Sequence, residues 1–168
     1  DVPLENNPAV QLGCAIGELA KSGRDKVTLA FPKDLEPFGL WIEQLVAESS
    51  GKEGKGVVPI AGELLAAPDQ YGRDRFFIWI TTGKSGKAKW KSKAGAFKKN
   101  HPSASIHVPK PADLGGEFLR WEIATATACS VLGVNAFDQP NVQEAKDLTR
   151  TLLKALTDKG FLPGLQAQ

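Results

Sequence analysis

The stretch DRFFIWITTG, residues 74–83, carries five large apolar side chains in succession, Phe76 to Ile80. A strand with one face in water alternates apolar and polar residues, whereas an unbroken apolar run suits a strand buried on both faces. Such a strand needs a helix layer above and below it, and the flanking sequence supplies candidates. NNPAVQLGCAIGELAKSG starts on Asn-Pro and stops at Gly23, with Val10, Cys14, Ile16 and Leu19 giving an apolar face. DKVTLAFP is a short β-branched run closed by Pro32, and LEPFGLWIEQLVAESSGK sets Leu40, Ile42, Leu45 and Val46 at helical spacing. KGVVPIAG is a second short strand, and SASIHVPKP a weaker one suited to a sheet edge. LGGEFLRWEIATATACSVLG, residues 114–133, is apolar on most of its faces and is expected to be largely buried, in the core or at an interface. NVQEAKDLTRTLLKAL is amphipathic and stops near Gly160. The alternation predicts an α/β fold: a three-layer α/β/α sandwich of flavodoxin-like type around a mainly parallel sheet of about four or five strands. Trp41, Trp79, Trp90 and Trp121 are read as packing residues.

With 168 residues the chain is one domain by length, and its opening at Asp1 without a methionine anywhere reads as a piece of a longer polypeptide. A net charge of +2 gives no global argument for nucleic acid or a membrane surface. Cys14 and Cys129 both fall in apolar helical stretches and are expected to be buried free thiols of a reducing compartment. No Cys/His ligand spacing points to zinc, and no cofactor motif is present. Neither a signal peptide nor a long apolar span is visible, so the expected location is cytoplasmic. The lysine-rich segment TTGKSGKAKWKSKAGAFKKN, residues 81–100, admits an anion-binding patch with Trp90 and Phe97 as stacking groups. The favoured reading is a solvated amphipathic helix with Trp90, Ala94 and Phe97 turned to the sheet.

ESSGKEGKG, residues 48–56, has the glycines, lysines and hydroxyls of a phosphate loop. A nucleotide loop requires GxxxxGK[ST] between a strand and the helix it opens. Here the glycines follow a helix and precede a strand, so no helix amino terminus is presented to a phosphate. What remains is a helix whose last turns carry Glu43, Gln44 and Glu48 and which Gly51 ends. The negative end of the helix dipole disfavours an ionised carboxylate there, a setting that suits a general base, with Lys52 and Lys55 opposing it. An ordinary surface glutamate is the competing reading.

FGLWIEQLVAESSGKEGKG together with LGVNAFDQPNVQEAKDL resembles the second sugar-isomerase (SIS) domain of glucose-6-phosphate isomerase. The first stretch matches the family pattern EQL-x-x-ES-x-GK, and the second FDQ-x-x-V-x-x-x-K. GRDKVTL, YGRDRFFIW and DLGGEFLRWEIATA are similar to the subtype found in bacterial proteins that fuse transaldolase to this isomerase. The resemblance implies one sugar-isomerase domain over 1–168. It implies interconversion of glucose 6-phosphate and fructose 6-phosphate through a cis-enediol, without cofactor or metal. Glu48 falls at the family's general base, Lys146 at the lysine that assists ring opening and contacts substrate, and Gln139 at a substrate-contacting glutamine. The implied partners are a sugar phosphate, the family's first sugar-isomerase domain, a transaldolase domain of the same chain, and in a homo-oligomer a second copy. The family's GQH motif is absent: its place reads GELLAAPDQYGRDR, and the histidines present, His101 and His107, lie outside it and are expected to be structural. A non-catalytic sugar-phosphate binding module on the same fold is the alternative. A flavodoxin-like nucleotide or flavin domain is disfavoured, because no glycine-rich loop follows DKVTLAF.

Overall fold

The computed structural model describes residues 2–138 and 140–161, with the side chains of 84–89 and 141 outside that description. The chain divides into two compact units, Asp1–Phe137 and Asp138–Gln168.

The first unit holds a four-stranded, wholly parallel sheet in the order β2-β1-β3-β4, with β1 Lys26–Ala30, β2 Val58–Ile60, β3 Arg75–Thr82 and β4 Ser103–Val108. Its helices are α1 Pro8–Lys21, α2 Glu36–Ser50, α3 Gly83–Phe97 and α4 Leu114–Leu132. The unbroken apolar run lies in β3, an inner strand whose Phe76–Ile80 are all at most 3% exposed. Alternate side chains of the run serve different cores. Phe76, Ile78 and Ile80 join Val27, Leu29 and Ile106 under α1, α2 and α4. Phe77 and Trp79 point the other way, against Ala94 and Phe97 of α3. Three layers result: α1, α2 and α4, then the sheet, then α3. The weak strand SASIHV is β4, at the sheet edge as expected. The lysine-rich segment is a helix, with Ala94 and Phe97 buried and Trp90 partly buried against the same cluster.

Two details of the helices differ from the sequence reading. On α1 the buried residues are Ala9, Leu12, Gly13, Ile16 and Gly17, while Cys14 is exposed. The seam is set by small residues: a Cβ on Gly13 would lie 2.5 Å from Thr127 Cβ and overlap the carbonyl oxygen of Ala124, so α1 and α4 meet almost backbone to backbone. Cys14 sits outside that seam, and the expectation of two buried thiols holds for Cys129 alone. On α2, Leu40 is exposed, and Phe38 and Gly39 take the inward positions. Gly39 faces the ring of Phe31, where any Cβ would overlap it.

The second unit contains α5, Pro140–Lys159, followed by Gly160 in the left-handed region at φ 74°. Among the described residues no helix is long and apolar enough to cross a membrane.

Candidate functional site

Helix α2 buries Phe38, Ile42 and Val46, one turn apart, against the sheet and α4. That fixes which residues face outward. Gln44 and Glu48, also one turn apart, stand on the solvent side, and Gln44 Nε2 donates to Glu48 Oε1 at 3.3 Å. Glu43 is different: its Oε2 accepts from the backbone N–H of Ala61 at 2.7 Å and so anchors the residue that follows β2. Of Glu43, Gln44 and Glu48, the first is structural, and the other two form an exposed carboxylate–carboxamide pair. The spacing of EQLVAE contains the pair, which a helical reading of i and i+4 positions could have found.

As a crossover, α2 runs from the carboxyl end of β1 to the amino end of β2. Glu48, in its last turn, therefore lies on the side of the strand amino ends. Ligands of open α/β sheets more commonly sit beyond the carboxyl ends.

The helix stops because the chain turns at once. Gly51 is the cap, and Glu53 and Gly54 both take left-handed backbone, at φ 56° and 70°. Ser50 Oγ closes the turn: it donates to Val46 O at 2.7 Å and accepts from Val57 N at 2.9 Å. Lys52 is only 5% exposed, and its ammonium donates to the carbonyl of Asn135. A lysine held inside in this way is not presented to a phosphate group, which agrees with the sequence argument against a nucleotide loop.

GELLAAPDQYGRDR, where the family motif would supply a histidine, is tied to the sheet face that α3 covers. Arg75 Nη1 donates to Thr28 Oγ1 at 2.7 Å and pairs with Glu63 Oε2 at 3.1 Å, and its guanidinium lies 5.2 Å from the Tyr71 ring centroid. His101 also holds the segment, its Nε2 donating to Pro68 O at 2.8 Å. His107 Nδ1 lies 3.0 Å from Thr81 Oγ1. Each histidine thus has a partner within the first unit. The buried carboxyl of Glu117 is raised above its ordinary range by desolvation, with Arg120, 3.1 Å away, opposing the shift.

In the second unit Lys146 lines a surface hollow of about 400 Å³ with Asp138, Pro140, Val142 and Gln143. Gln139 lies outside the described residues. Among the described residues no cluster of His, Cys, Asp and Glu could hold a metal ion.

The fold and this arrangement define a parallel α/β sandwich with an exposed acid–amide pair at a helix carboxyl end. A solved structure of a hypothetical protein from Thermus thermophilus shares the fold, with a TM-score of 0.75 and 20% identity over 90% of this chain and 46% of that one. No family model matches the chain. Among individual proteins, it is 26% identical over 197 residues to a probable glucose-6-phosphate isomerase of Haloarcula marismortui, covering 90% of this chain and 43% of that protein. The glucose-6-phosphate isomerase of Clostridium tetani is 27% identical over 196 residues, covering 94% and 43%. A shorter match, 39% over 69 residues, joins 40% of this chain to a probable glucose-6-phosphate isomerase of Haloquadratum walsbyi. The chain is therefore weakly similar, over most of its length, to glucose-6-phosphate isomerases, and it spans less than half the length of these relatives.

Proposed function

We propose that this chain is the second sugar-isomerase domain of a glucose-6-phosphate isomerase, of the subtype fused to transaldolase, with Glu48 as the general base. The observation that carries the reading is the Gln44–Glu48 pair, set outward on a helix end in a chain similar to isomerases over about nine-tenths of its length. Aldose–ketose isomerisation removes a proton from the carbon next to a carbonyl. In this reading the Glu48 carboxylate takes the proton from C2 of the open-chain aldose. The electron pair forms the C1–C2 double bond as O1 gains a proton to give the cis-enediol. The acid then returns its proton to C1 as O2 loses its own to become the ketone. Gln44 orients the carboxylate through its amide. Lys146 supplies a cation to the sugar oxygens as negative charge develops there, and Gln139 contacts the substrate.

An exposed carboxylate is well solvated and a poor base toward carbon. A working site needs water excluded and a holder for the phosphate. Both belong, in this reading, to the half of the isomerase that the relatives possess beyond the span matched here. Turnover is thus a property of the full-length parent, and this chain alone is expected to be inactive. The alternative is a sugar-phosphate binding module without catalysis. It is favoured by one observation: His101 and His107 both hold protein contacts, so neither stands ready for ring opening.

The test is conversion of glucose 6-phosphate to fructose 6-phosphate by the full-length parent. General-base removal costs about 10²- to 10⁴-fold, and Glu48→Gln is expected to lower kcat by that much with folding intact. Lys146→Ala is expected to lower it less. A wild-type parent that binds sugar phosphate but does not turn it over would sink the isomerase reading and leave the binding module.

A further inference from the structure

The turn GKEGKG, residues 51–56, takes no part in the chemistry above, yet two of its side chains converge on one place. Lys52 crosses 83 residues of sequence to donate to the carbonyl of Asn135. Lys55 Nζ reaches the glycine cap of α4, 3.7 Å from where a Cβ on Gly133 would stand. Gly133, at φ 69°, is where α4 ends, and Val134 N donates back to Cys129 O at 3.0 Å. A helix carboxyl terminus carries unsatisfied carbonyls and the negative pole of the dipole, and cations stabilise it. A second tie lies one turn earlier, where Cys129 Sγ donates to Ser49 O at 3.4 Å. The turn itself is braced: Lys52 N and Lys55 N each donate to the other's carbonyl. Beyond α4, Asn135 Oδ1 accepts from Phe137 N at 3.0 Å, so the segment from Gly133 to Phe137 is ordered from the carbonyl that Lys52 holds.

We propose that the GKEGKG turn is a latch, in which Lys52 fixes the segment 133–137 against the helix end that carries Glu48, making Lys52 a positioning residue for the isomerase reaction. This rests on the functional reading above. The turn begins three residues after Glu48, and along the chain the held segment ends at Phe137, where the FDQ stretch begins. A lysine suits the task because its long stem can lie buried while its ammonium reaches a carbonyl across the turn.

The test uses Lys52→Met in the full-length parent. Methionine keeps the volume and removes the cation, and the carbonyl it frees belongs to an exposed residue that water can solvate. Two readouts are taken together: amide hydrogen exchange at Val134–Phe137, and kcat with KM for glucose 6-phosphate. The latch predicts exchange faster by about tenfold or more across that segment. It also predicts kcat lowered about tenfold, as small misplacement of reacting groups costs that much or more, with KM nearly unchanged. Faster exchange with wild-type kcat overturns the proposal, and so does lost kcat with wild-type exchange. Should Lys52→Met fail to fold, Lys52→Gln removes the cation and its reach while keeping a polar end that can be solvated, and the same two readouts decide. If Glu48→Gln abolishes turnover while Lys52→Met spares it, the latch alone fails. If Glu48→Gln is fully active, the assignment of the base has failed, and a wild-type parent without turnover sinks the isomerase reading itself.

Discussion

Gly13→Ala and Gly95→Ala are the same chemical change in two helix interiors, and the structure predicts opposite signs for them. At Gly13 the new methyl would overlap Ala124 O and lie 2.5 Å from Thr127 Cβ. One obstacle is backbone and the other is the root of a side chain, so neither rotates aside, and α1 must move off α4. Overpacking of this kind costs about 1–3 kcal/mol, and contacts this short belong at the upper end. Alanine returns about 1 kcal/mol in helix propensity, leaving a net loss of about 2 kcal/mol. At Gly95 nothing lies within 4 Å of the added methyl. The propensity gain of about 0.5–1 kcal/mol should then appear undiminished. Thermal melting followed by far-ultraviolet circular dichroism reads both. For a chain of this size about 2–4 °C accompanies each kcal/mol, so Gly13→Ala should melt about 4–8 °C lower and Gly95→Ala slightly higher. A Gly13→Ala protein as stable as wild type would refute the close approach of α1 and α4, and with it the account of why Cys14 faces outward.

Two further outcomes follow from buried groups. Desolvation holds the Glu117 carboxyl above its ordinary 4.5, so the folded state binds this proton more tightly than the unfolded state does. Its contribution to stability is fully present below the unfolded value and is lost as pH rises through the folded one. Glu117→Gln should therefore raise the urea midpoint at pH 7, with the gain vanishing below about pH 4; a gain independent of pH would contradict the burial argument. The Cys129 thiol is buried and raised by desolvation, whereas Cys14 is exposed. An aromatic disulfide reagent should label Cys14 quickly and Cys129 only on unfolding, and two fast thiols would contradict the α1 and α4 assignments.

The layers were legible because burial writes itself into pattern. FFIWI has no alternation and is an inner strand, and SASIHV, with fewer apolar residues, is the edge. The face of α1 was not legible, since a hydrophobicity reading favours Cys14 and Val10 over Gly13 and Gly17, while close helix packing selects the smallest residues. The site was legible in part. Glu48 and Lys146 are singled out by the resemblance alone, whereas the outward Gln44–Glu48 pair is missed by that reading although i and i+4 helical spacing contains it. The anchoring of Ala61 by Glu43 and the reach of Lys52 to Asn135 carry no local signal, because they join residues that only the folded chain brings together.

The central claim is that Glu48 moves a proton between two carbons of a sugar phosphate. The most direct measurement is exchange of the C2 hydrogen of glucose 6-phosphate with deuterium in D₂O, followed by proton NMR, in the full-length parent and its Glu48→Gln variant. The account predicts catalysed exchange by the wild type and none above background by the variant, with both folded and both binding the sugar phosphate. Exchange that persists in Glu48→Gln would place the base elsewhere and contradict the account.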